Sequence, residues 1–152
     1  MSNRVYSWGL WICTILVLLL SALQALTGHW VAFFLLWPGG NFSDAFLRAM
    51  VVLGNYHKVE GFAVGILAIL ILALSFLARS NIYVRVFAVV GFIMTVLAAS
   101  GGVIYVTSNF QNRFSLGQMA DAFVGVFGAY FIQLFFMNRK PTFPWERAKP
   151  QP

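Results

Sequence analysis

Four long apolar runs dominate the chain, and none of them alternates between apolar and polar positions. They cover residues 8–28, 57–78, 86–106 and 115–137. A bilayer core of roughly 30 Å takes about 20 residues of helix to cross. In lipid every backbone polar group must be satisfied internally, so only helices and closed barrels span it. Barrel strands need a period of two, which these runs lack. The pattern therefore predicts an all-α integral membrane protein, an up-down-up-down four-helix bundle in residues 1–137.

The breaks between runs are uneven. The second and third are short and predict antiparallel neighbours. The first, residues 29–56, is long and contains WVAFFLLWPGG followed by NFSDAFLRAMVVLG. Its aromatic part suits the headgroup level. Asn41 or Ser43 is placed to cap a short helix with Arg48 facing water. An interfacial segment in the first outer loop is therefore expected, and a long structured loop is a candidate lid. Residues 138–152, NRKPTFPWERAKPQP, hold four of the five prolines and no apolar period. They read as an extended cytoplasmic tail held at headgroups by Arg139, Lys140 and Trp145.

Composition agrees with the membrane reading and narrows the partners. The chain is 61% hydrophobic and 9% charged, where a soluble domain carries about 25% charged residues. The net charge of +6 does not point to nucleic acid, because the basic residues flank apolar runs. With both termini cytoplasmic, Arg4, Arg79, Arg85, Arg139, Lys140, Arg147 and Lys149 lie inside, against Arg48, Lys58 and Arg113 outside. That bias predicts a multi-pass protein of the cell membrane with N and C termini in the cytoplasm. The first run is too long for a signal-peptide core and no A-x-A site follows it, so it reads as a retained helix. The single cysteine, Cys13, reads as a small buried apolar side chain.

Glycines and alanines mark candidate packing faces: Gly61 and Gly65 on the second helix, Ala98, Ala99, Gly101 and Gly102 on the third, Gly125 and Gly128 on the fourth. Such residues let helix backbones approach closely in lipid.

Ionisable groups at membrane depth are costly and mark functional sites by default. In NYHKVEG, His57 and Glu60 are three apart and share one helix face, while Lys58 points elsewhere and can snorkel. Gln118 and Asp121 stand one turn apart on the fourth helix, His29 closes the first and Arg113 opens the fourth. All fall in the outer third of the bundle; Gln133 is alone in the inner half. Imidazole is a standard haem ligand, so His57 and His29 are candidates for haem iron. Arg113 and Gln118 are candidate cofactor-binding residues, with Lys58 and Arg48 available to propionates. Glu60 and Asp121 are the candidate catalytic groups, or else a proton relay.

At these residues the chain resembles the haem A synthase family. YHKVEGFAVGILAILILALSFLAR follows a long outer loop, and His57-Lys58 matches the family's His-Arg step at the start of a helix. LLLSALQALTG and AASGGVIYV share the family's texture. The likeness covers roughly residues 8–137. It implies a four-helix half of the family's scaffold, with haem bound by His57. The family's glutamate three residues before the histidine is Gly54 here, its second histidine is absent, and its outer cysteine pair is missing.

Three functions are open on these residues. The first is a haem-binding protein of the respiratory chain, oxidoreductase-like or a b-type carrier. The second is a non-catalytic accessory subunit of a larger membrane complex; the candidate partners, beside the lipid bilayer, are further copies in a homo-oligomer or other membrane subunits. The third is ion- or proton-coupled transport through Glu60 and Asp121.

Overall fold

The computed structural model describes residues 3–36, 43–109 and 111–137, with side chains of 5–31 in the first helix. All four elements are helices: α1 (Asn3–Leu36), α2 (Asp44–Leu77), α3 (Ile82–Thr107) and α4 (Arg113–Phe136). Each is long and apolar enough to cross a membrane. The chain is a small multi-pass membrane protein.

Local chemistry sets the helix ends. Ser43, Asn81 and Asn112 are the N-caps, their side-chain oxygens accepting from the backbone N–H of Phe46, Val84 and Ser115. Each satisfies a donor that the first helical turn leaves orphaned. At the end of α2, Arg79 is left-handed at φ 49°. Its N–H donates to the Phe76 carbonyl, and the Ser80 N–H to that of Ser75, which makes a Schellman closure. Asn81 Nδ2 then donates to the Phe136 carbonyl at 2.8 Å, so the start of α3 is level with the end of α4.

The first connection is much shorter than the pattern predicts. Residues 29–36 contain no breaker before Pro38, and α1 runs on through them to Leu36. Ser43 does cap a helix, with Asp44 favourable at its positive end. That helix continues unbroken into the apolar run, so the segment expected to lie in the interface forms the first turns of α2. At about 51 Å each, α1 and α2 outreach α4, which is about 36 Å long. Residues 37–42, including Asn41, lie outside the described residues. So does the tail with Arg139, Lys140 and Trp145.

Buried positions recur in steps of three and four: Leu10, Thr14, Val17 and Ser21 on α1; Val64, Ala68, Ile71 and Ser75 on α2. Val84, Ala88, Gly91 and Thr95 do the same on α3, and Ala122, Val126, Ala129 and Gln133 on α4. That spacing is the seam of helices packed nearly parallel to one another. α1 packs mainly on α2, and α3 on α4, with lesser contacts between α2 and α3 and between α1 and α4. The diagonal helices make no close backbone approach among the described residues. Small residues permit the closest approach. A Cβ on Gly101 would stand 2.9 Å from the Ser115 carbonyl oxygen and from the Met119 amide nitrogen.

Both the α1–α2 and α3–α4 connections lie at one end, here termed the loop end. The start of α1, the end of α4 and the α2–α3 turn lie at the other, the terminus end.

Candidate functional site at the loop end

Thr27 of α1 organises the buried polar cluster. Its Oγ1 is 2.6 Å from Glu60 Oε2, 3.2 Å from His57 Nδ1 and 3.1 Å from the Gln24 carbonyl oxygen. A hydroxyl has one proton to give. The shortest contact takes it, so Thr27 donates to Glu60. In the neutral imidazole, Nδ1–H then donates toward Thr27 or the Gln24 carbonyl, which also lies within reach of the ring. The resulting chain runs His57, Thr27, Glu60. With the Thr27 proton directed at Glu60, a neutral imidazole that keeps its contact with Thr27 Oγ1 carries its proton on Nδ1.

Two glycines make the seam tight enough for these side chains to meet. A Cβ on Gly28 would stand 2.6 Å from His57 Cε1, and one on Gly61 would stand 2.8 Å from Gln24 Nε2. Each helix thus offers a glycine to the other's polar side chain. Thr27 and Glu60 are both 9% exposed, so the carboxylate is nearly enclosed by protein.

The six residues singled out by the pattern do not form one site. His57 and Glu60 come together as expected from their spacing. They are joined by Thr27 and Gln24, which the pattern did not single out. His29 lies on the exposed surface of α1, although Gly28 beside it touches His57. Arg113 is exposed at the first turn of α4. Gln118 ties α4 to α3, its Nε2 donating to the Leu97 carbonyl at 3.3 Å and to Ser100 Oγ at 3.2 Å. Asp121 is exposed on α4, and the described backbones of α4 and α2 do not approach closely. Glu60 and Asp121 therefore belong to separate faces.

Beside Asp121 runs a groove of about 490 Å³ between α3 and α4, lined by Met94, Leu97, Phe114, Gly117, Gln118 and Asp121. Among the described residues Asp121 has no hydrogen bond or ion pair. A bare carboxylate on a membrane helix costs up to about 3 kcal/mol at mid-bilayer and less near the boundary. Nothing among the described residues offsets that cost.

His57 meets part of what an iron ligand needs, an imidazole oriented by a hydrogen bond at Nδ1. The second expected ligand, His29, is not in the seam. Among the described residues no three His, Cys, Asp or Glu side chains converge. Gln133, the one polar residue noted in the other half, is fully buried, and neither amide atom has a partner among the described residues. No protein-family model, curated protein or solved structure matches this chain.

Proposed function

We propose that this chain is a non-catalytic subunit of a larger membrane assembly. The observation that carries the reading is Asp121: an exposed carboxylate on a membrane helix, beside a groove and without a partner among the described residues. The buried polar cluster fits the same role, because the contacts of Thr27 with Glu60 and His57 hold α1 against α2. With the basic bias already noted, the loop end faces outward and both termini lie in the cytoplasm. Mild extraction followed by native electrophoresis tests the proposal. A band well above the 17.0 kDa chain, even after allowance for bound lipid and detergent, is expected. A chain that migrates alone from its native membrane overturns it.

One observation favours a haem-binding reading: the contact of His57 Nδ1 with Thr27, which orients the imidazole. In that reading His57 is the axial ligand and the protein serves a respiratory chain. An absorption spectrum of purified protein, oxidised and reduced, decides it beside His57→Ala. A Soret band weakened by the substitution supports haem; a spectrum without one, even after added haem, removes it.

A further inference from the structure

Lys58 and Asp121 form a matched pair that one copy of the chain cannot close. Both are exposed, and among the described residues neither has a hydrogen bond or ion pair. They stand on α2 and α4, the diagonal helices, whose described backbones do not approach closely. Both helices run from the loop end toward the terminus end. Their far ends are level, because the α2–α3 turn is tight and Asn81 ties the start of α3 to Phe136. Lys58 stands about 28 Å from Leu77 and Asp121 about 22 Å from Phe136. The two opposite charges therefore lie within about one helical turn of the same depth.

The backbone around each charge has the same form. Gly54, Gly65, Gly117 and Gly128 are the described glycines at which an added Cβ would meet nothing within 4 Å. Gly54 precedes Lys58 by four residues and Gly65 follows it by seven; Gly117 and Gly128 stand in the same relation to Asp121. Positions eleven apart lie three turns apart on nearly one helix face. On α4 the stripe extends through Phe114, Val124, Phe131 and Phe135, all exposed. Each helix thus presents an open, small-residue face with one unpaired charge at the same place along it.

We infer that this chain associates with further copies of itself, the α2 face of one copy packing in parallel on the α4 face of the next, with Lys58 against Asp121. The inference rests on the subunit reading above and names its partner. Charge complementarity selects a second copy, since the chain carries both halves of the pair at matching depth. The open glycines allow the two backbones to approach closely. Because α2 and α4 lie diagonally across the bundle, the contact is head-to-tail, and repetition closes into a ring when the rotation permits.

The test is co-purification of two differently tagged full-length copies from one membrane. Wild-type copies should co-purify. With Asp121→Lys in both copies, every contact sets lysine against Lys58, and recovery should fall by at least about tenfold. Adding Lys58→Asp to both copies restores opposite charges and should restore recovery. Gly65→Leu with Gly128→Leu, which leaves the charges alone, should also reduce it. Because these side chains have no partners in their own bundle, a monodisperse profile for each variant shows that the fold is kept. Recovery that is unchanged by Asp121→Lys and by the glycine substitutions overturns this interface. Wild-type copies that do not co-purify overturn self-association. In that case a native band containing a different protein leaves the subunit reading standing, while a lone chain removes both.

Discussion

Replacing Thr27 by valine keeps the shape of the side chain and removes the one hydroxyl that joins α1 to Glu60. Two magnitudes compete. Side-chain hydrogen bonds between membrane helices average about 0.6 kcal/mol and reach about 1.7, because the unfolded helices find other partners. Hydrogen bonds to charged groups contribute about 1.5–3 kcal/mol, and a buried acceptor left bare costs its full desolvation. Thr27 is the hydrogen-bond donor to Glu60 among the described residues, at 2.6 Å, and Glu60 is only 9% exposed. The second magnitude should prevail, giving a loss of about 2 kcal/mol, or roughly 30-fold in the folded-to-unfolded ratio. Thr27→Ser retains the hydroxyl and loses one methyl, at a cost of about 0.8 kcal/mol. Reversible unfolding in bicelles, by denaturing detergent or steric trapping, resolves that difference. A double variant, Thr27→Val with Glu60→Leu, should lose less than the two single variants added together, since no bare carboxylate remains. The reasoning is refuted if Thr27→Val is as stable as Thr27→Ser, or if the double variant shows no coupling.

Other substitutions probe the rest of the bundle. Gly101→Ala drives a methyl into the backbone of α4 and should destabilise by about 1–3 kcal/mol; an unchanged unfolding midpoint would show that the helices separate freely there. Gln133→Leu replaces a buried amide that has no described partner, so the variant should be as stable as the native chain or about 1–3 kcal/mol more so. A loss of stability would mean that this amide is hydrogen-bonded in the membrane. For orientation, a thiol placed by Asn81→Cys in a Cys13→Ala background should be labelled by an impermeant maleimide only in inside-out vesicles. Labelling in right-side-out vesicles would reverse the topology.

Helix number and type were legible because a span needs an uninterrupted apolar run, and no tertiary information is required to see one. Ser43 was recognisable as a cap, but the length of its helix was not. Residues 44–56 mix polar and apolar positions, as an interfacial helix would, and only their continuity with the run after His57 makes them α2. The aromatic stretch after His29 was misleading for a related reason: aromatics suit both a headgroup belt and a helix extending past it. His57 and Glu60 could be paired from their spacing alone. Their partners could not, because Thr27 and Gln24 sit in a run whose register against α2 depends on Gly28 and Gly61. Those glycines also show what spacing conceals. Gly61 packs on Gln24 while Gly65 meets open space, and Gly125 packs on Met94 while Gly128 does not. A pair of small residues names a candidate face; only the assembled bundle shows which member is already covered.

The open faces are the centre of this account, and cross-linking between copies tests them most directly. Two populations in a Cys13→Ala background, one carrying Lys58→Cys and the other Asp121→Cys, would be co-expressed and oxidised in the membrane. A disulfide forms only when the two Cα atoms lie within about 7 Å. The account predicts a band at twice the 17.0 kDa chain mass that requires both populations and disappears on reduction. Thiols that remain free while cysteines placed elsewhere on α4 cross-link readily would contradict it.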